Sequence, residues 1–237
     1  MANPGAIEVK ANIAGGVGHA LGVLGLQAGT PRQVWFLDDL TDGAKPALPL
    51  LNAGIVLRLR RGDKEQSTIK LRPCRRTQLT AQWQGGARDT DYKIEGDWSG
   101  DRHSLAASCV AELNAGTIDR VLDGQIADAF TRTQREFLAE CADIRVALEA
   151  TTVLKPIAAT QWKGITLGTV GEVAAERWIV DGLDFLELSI RVPADTAAAQ
   201  QRMFTDEILS RGLTLDKDGE SKTVRVMRRL AGLPDEG

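Results

Sequence analysis

A stretch of alternating charge constrains the fold of this chain more than any other feature. In Gly54 to Arg61 (GIVLRLRR), Ile55, Leu57 and Leu59 fall on one side of an extended strand and Val56, Arg58 and Arg60 on the other, because successive strand side chains point to opposite faces. The two arginines share a face, about 6.6 Å apart at the ordinary strand rise. Gly62-Asp63 marks a turn, and Ser67 to Leu71 (STIKL) returns as the second arm of a hairpin. A sheet holding this hairpin must bury its apolar face and give the charged face water, a counter-charge or a ligand.

The hairpin is also where positive charge collects. The 237 residues carry 29 Lys and Arg against 32 Asp and Glu, a net charge of −3. Between Arg58 and Arg76, eight basic residues meet two acids, a local +6 that leaves −9 for the rest. This distribution points to a local anion site and excludes a chain that attracts nucleic acid over its whole surface.

The same alternation recurs elsewhere. Ala6 to Ile13, Gln33 to Leu37, Tyr92 to Trp98, Pro156 to Lys163, Glu172 to Val180 and Asp184 to Val192 read as strands, which with the two hairpin arms makes eight. Glu8 and Lys10, Arg58 and Arg60, Lys70 and Arg72, Lys93 with Glu95 and Asp97, and Glu187 with Ser189 and Arg191 each occupy one face of a strand. A single such strand fits the wet face of an open sheet. Five of them, with both signs, fit better the polar lumen of a closed barrel. Gly15 to Gln27 reads as a Gly-rich helix or loop, Thr117 to Leu154 as one long helical stretch, Ala194 to Arg211 as an amphipathic helix opened by Pro193, and Ser221 to Leu230 as a short helix or strand. With no repeat and no Pro/Ser-rich linker, the expectation is one α+β domain over residues 1–237, an eight-stranded antiparallel barrel with helices packed outside. The five tryptophans, Trp35, Trp83, Trp98, Trp162 and Trp178, are expected to pack in its wall.

Several chemistries are excluded. Cys74, Cys109 and Cys141 form no Cys-x-x-Cys and are read as reduced, and His19 and His103 are too few for a three-histidine zinc site. The longest apolar stretch, Val17 to Leu26, is far below the roughly 20 residues of a membrane span, so a cytoplasmic protein with no membrane partner is expected. Gly16-x-Gly18-x-x-x-Gly22 misses the dinucleotide-binding spacing, and the strand before it carries Glu8 and Lys10 where a central parallel strand is apolar. RNA binding through the basic hairpin is an alternative, but aromatic residues are 5% of the chain and none lies inside the hairpin to stack on bases. Basic and acidic residues in one lumen suit a polyphosphate: Arg and Lys hold its oxygens, and carboxylates hold a hard divalent ion that bridges them.

These residues resemble the CYTH domains, or triphosphate tunnel metalloenzymes. Leu51 to Pro73 (LNAGIVLRLRRGDKEQSTIKLRP) is similar to that family's AGxxLRxR…xxTxKxP hairpin, and Val34 to Leu40 (VWFLDDL) sits where the family has its YFDTxD segment. Lys93-x-Glu95-x-Asp97 resembles its basic-x-Glu-x-Glu strand, Phe185 to Ile190 (FLELSI) its late Glu-x-Glu strand, and Ser221-Lys222-Thr223 its C-terminal Ser-Lys signature. The resemblance implies a tunnel that binds a triphosphate and hydrolyses it with Mg²⁺ or Mn²⁺. It implies Lys10, Arg58, Arg60, Lys70, Arg72 and Lys93 as phosphate contacts, with Lys163 and Lys222 as further ones. It implies Glu8, Glu95, Asp97 and Glu187 as metal ligands, with Glu172 or Glu176 as additions. Glu8 and Glu187 would hold the catalytic ion. Two family carboxylates are replaced, by Ala6 and Ser189. Two readings therefore stay open: a triphosphatase acting on inorganic or nucleoside triphosphate, and a non-catalytic polyphosphate-binding module.

Overall fold

The computed structural model describes residues 5–40, 47–84, 91–216 and 221–234. Its strands are β1 (Ile7–Ala14), β2 (Thr30–Asp38), β3 (Ile55–Arg61), β4 (Glu65–Leu71), β5 (Asp91–Ser99), β6 (Arg102–Leu113), β7 (Thr152–Val153), β8 (Ile157–Thr166), β9 (Glu172–Val180), β10 (Leu183–Val192) and β11 (Thr214–Leu215). Nine of them run side by side in the order β10-β9-β8-β2-β3-β4-β6-β5-β1, and β1 pairs back onto β10 to close the ring. The two-residue β7 and β11 add to β2 and β1.

The expected barrel is present, with one strand more than the eight expected. The addition is β6, whose sequence RHSLAASCVAEL is rich in Ala and Ser, holds Val110 as its one β-branched residue and has no Phe, Tyr or Trp, and so carries little of the signal that marks strands. An odd ring cannot alternate in direction all the way round. One joint must be parallel, and it falls between β1 and β5, where Glu8 faces Asp97 and Lys10 faces Ser99. The other joints are antiparallel. The hairpin forms as expected, with Arg58 opposite Thr68 and Arg60 opposite Gln66.

The helices are α1 (Val17–Val23), α2 (Pro49–Asn52), α3 (Ala81–Gln84), α4 (Thr117–Leu122), α5 (Arg132–Cys141), α6 (Ala197–Ser210) and α7 (Lys222–Leu230). The expected long helix over 117–154 is broken. Gly124 turns left-handed (φ +98°) after α4, and Thr131 caps a new helix by accepting from Gln134 N. The outward rows of β3, β4 and β6 (Leu57, Leu59, Ile69, Leu71, Cys109) bury against Val121, Phe137 and Leu138 of α4 and α5. Those of β1 and β10 (Val9, Ile13, Leu186, Leu188) bury against Phe204 and Ile208 of α6. On the inner side, Val34, Phe36, Val56 and Trp178 meet Val226 and Met227, which seats α7 on the lumen. Cys74, Cys109 and Cys141 are buried, and none is in a disulfide. No helix among the described residues is long and apolar enough to cross a membrane.

One buried amide ties the helical layer to the charged hairpin. Gln134, fully buried, donates to the carbonyls of Ser67 (3.2 Å) and Cys109 (3.1 Å) and accepts from Ser67 Oγ and Thr131 N, both at 3.0 Å. Gln134→Leu removes these bonds, takes the acceptor from the Ser67 hydroxyl and the Thr131 amide, and should cost about 2–4 kcal/mol of stability. Urea unfolding of the variant checks this, and a loss near zero would contradict it.

Candidate functional site

Alternate side chains of the ring point inward and enclose about 290 Å³. Seven cations line this space, Lys10 from β1, Arg58 and Arg60 from β3, Lys70 and Arg72 from β4 and its end, Lys93 from β5, and Lys222 at the start of α7. Five carboxylates share it, Glu8, Glu95, Asp97, Glu176 and Glu187, together with Thr68, Ser108, Ser189 and Ser221. The expected residues thus converge, apart from Lys163. A register shift between Trp162 and Ile165 carries Lys163 to an exposed position at the tunnel mouth beside Arg32, Arg60 and Lys64. Of the two alternative glutamates, Glu176 faces inward and Glu172 is exposed. Trp178 lines the lumen, where its ring carries the Lys222 ammonium 4.0 Å from its centroid.

Asp97 is the hub of the ion pairing. Its Oδ2 accepts from Lys10 (2.8 Å), Lys70 (2.8 Å) and Arg72 (3.3 Å). Burial alone would push this carboxyl up, but the three cations hold it well below the usual range. Glu8 pairs with Lys10 at 3.0 Å; burial again pushes its pKa up, and Lys10 and Lys70 outweigh that and bring it from 4.5 to about 2. Burial would depress Lys10, yet Glu8 and Asp97 lift it above the ordinary lysine range. Lys70 goes the other way, from 10.5 to about 8, through burial and repulsion from Lys10. Glu95 pairs with Lys93 at 3.0 Å and with Arg191. Lys222 Nζ lies 3.0 Å from Glu176 and 3.3 Å from Glu187, and Arg72 donates to Ser221 Oγ at 2.9 Å.

Arg58 and Arg60 stand apart from this network. Among the described residues Arg58 reaches only Thr68 Oγ1, at 3.5 Å, and its Nε has no hydrogen-bond partner, while Arg60 meets the amide of Gln66. Among the described residues, no carboxylate lies within ion-pair distance of either. Burial, then repulsion from Arg58 and Arg32, lowers Arg60 from 12.5 to about 10, and burial lowers Arg58 as well.

The carboxylates do not gather as a divalent ion needs. Across the β1–β10 joint Glu8 faces Arg191 while Glu187 faces Asn12. Four residues of strand, about 13 Å of backbone, therefore separate the two expected ligands of the catalytic ion, and each pairs with a lysine, Glu8 with Lys10 and Glu187 with Lys222. Among the described residues no group of three or more His, Cys, Asp or Glu is placed to hold a metal. The residues present thus do not fit the Mg²⁺ or Mn²⁺ that the resemblance implies.

A closed mixed barrel with helices outside and a lumen of both charges has the triphosphate tunnel, or CYTH, fold. Solved structures bear this out. HpAC1 of Hippeastrum, a candidate adenylyl cyclase described as having a dominant triphosphatase activity, superimposes with a TM-score of 0.63 at 14% identity, covering 97% of each chain. A candidate adenylate cyclase of Bacillus halodurans does so with a TM-score of 0.59 at 11% identity, over 93% of this chain and 98% of that one. No protein-family model and no curated protein sequence matches the chain.

The pairing carries a pH signature. A carboxyl whose folded pKa is depressed stabilises the fold above its unfolded pKa and loses that contribution as pH falls toward the folded value. For Glu8, the stability difference between wild type and Glu8→Gln should be constant above pH 4.5 and shrink as pH falls toward 2. Denaturant unfolding across that window checks it; a difference that grows on acidification would contradict it.

Proposed function

We propose that this tunnel binds a triphosphate or longer polyphosphate. The observation that carries the reading is the pair Arg58 and Arg60, two lumen cations with no carboxylate partner within ion-pair distance among the described residues. A partly buried guanidinium with no carboxylate in ion-pair contact costs stability, and an anionic ligand supplying oxygens to its fork offsets that cost. Linear polyphosphate brings such oxygens at regular spacing along a tunnel, where Lys10, Lys70, Arg72, Lys93 and Lys222 continue the basic wall. Nucleic acid is disfavoured by the enclosed lumen and by the lack of an aromatic platform in the hairpin.

Hydrolysis of the bound triphosphate is the second reading, favoured by the fold shared with HpAC1 and its described triphosphatase activity. In it, water adds to a phosphorus, the anhydride P–O bond breaks with its electron pair going to the departing phosphate, and the water's proton passes to a phosphate oxygen. Lys10, Lys70 and Arg72 would neutralise that charge, and the ionised Glu8 would orient the water. Phosphate release from tripolyphosphate, above background and reduced in Glu8→Gln, is the expected outcome; none in any buffer removes hydrolysis and leaves the binding module. The cytoplasm is the proposed compartment.

Arg58→Met separates binding from stability. Losing a charge-assisted contact worth about 1.5–3 kcal/mol should weaken tripolyphosphate binding roughly 10- to 100-fold. The ligand-free variant should melt no lower than wild type, because an unpaired charge has been replaced by an apolar chain. Calorimetric titration and thermal melting read the two effects, and unchanged affinity would contradict the assignment.

A further inference from the structure

Two pairs of carboxylates face each other across strand joints in the lumen. Glu8 is in register with Asp97 on β1 and β5, and Glu176 with Glu187 on β9 and β10. Such pairs are where a divalent ion would be sought. Each is bridged instead by a lysine ammonium. Lys10 Nζ lies 3.0 Å from Glu8 Oε2 and 2.8 Å from Asp97 Oδ2. Lys222 Nζ lies 3.0 Å from Glu176 Oε2 and 3.3 Å from Glu187 Oε1.

Both ammonium groups are held from inside the fold. The Lys10 side chain is 12% exposed on a ring strand, and that of Lys222 is 3% exposed, over Trp178 at the first residue of α7. The neighbouring positions on β1 and β10 add no further carboxylate to Glu8. Ala6 stands two residues before Glu8, and Arg191 and Ser189 face Glu8 and Lys10 from β10. Mg²⁺ demands near-octahedral oxygen coordination and gives up its water reluctantly. To enter either pair it must also displace an ammonium and leave it uncompensated in the lumen.

We infer that Lys10 and Lys222 serve as built-in cations in place of divalent ions, and that the ligand of this tunnel is polyphosphate free of metal. The inference rests on the polyphosphate reading above and adds to it the ionic form of the ligand. A metal-free chain presents its full negative charge to Arg58 and Arg60, whereas complexation with Mg²⁺ removes part of it. Divalent ions therefore compete with the protein for the ligand.

Two measurements on the full chain test this. Titration with Mn²⁺ alone, followed by the paramagnetic resonance of the free ion, should show no uptake by wild type. Uptake that disappears in Asp97→Asn or Glu187→Gln would overturn the inference. Calorimetric titration with tripolyphosphate should give an affinity in EDTA equal to or higher than in excess Mg²⁺; binding only with Mg²⁺ would overturn the inference while leaving the polyphosphate reading intact. No binding in either buffer would overturn that reading and the inference with it. Lys222→Met leaves Glu176 and Glu187 facing each other without their ammonium and should gain Mn²⁺ uptake. A folded variant that gains none would contradict the role given to Lys222, and the wild-type titrations decide the matter if the variant does not fold.

Discussion

Asp97 holds Lys10, Lys70 and Arg72 at one carboxylate oxygen, and the three cations come from β1, β4 and the segment just after β4. Removing the shared oxygen would leave several lumen charges without a partner, a change that typically costs several kcal/mol. The parallel joint between β1 and β5 makes the arrangement possible, because it sets Asp97 directly beside Glu8 and within reach of Lys10. The odd strand number that forces this joint is therefore part of the electrostatics of the lumen as well as of the topology.

A lumen of this kind needs a strong outer wall. On β1, β3, β4 and β10 the strands that send charge inward send apolar side chains outward, and those rows bury under α4, α5 and α6. The remaining helix, α7, works from the inner side: Val226 and Met227 pack on Phe36 and Trp178, while Ser221 and Lys222 reach Arg72, Glu176 and Glu187. With Asp97 satisfying one set of cations and Lys222 satisfying the opposite carboxylates, Arg58 and Arg60 are left with charge to spare. That surplus is what the proposed ligand answers.

Much of this was legible in the sequence because a strand period of two sorts residues by face without reference to anything distant. The hairpin, the inward set on β1, β3, β4 and β5, and the outer apolar rows all follow from alternation. Where alternation is weak the sequence is silent. In β6 the inward Ser108 and the outward Ala107 and Cys109 are all small, and the strand carries no period to read. The bulge in β8 changes the facing of Lys163, and a bulge leaves no mark a residue count can find. Pairing across strands is a further step removed. That Glu8 lies opposite Asp97, and four residues of strand away from Glu187, depends on the register of two joints, which the order of motifs along the chain does not contain. The break after α4 was more accessible, since Gly124 and the Thr131 cap are both conventional signals.

Arg58 and Arg60, with no carboxylate within ion-pair distance among the described residues, are where the proposed polyphosphate would bind. A crystal structure of the protein with tripolyphosphate tests this placement most directly. The account predicts phosphate oxygens inside the ring within hydrogen-bond distance of the Arg58 and Arg60 guanidinium groups. Tripolyphosphate bound only on the outer surface, with both guanidinium groups making no contact to it, would contradict the account.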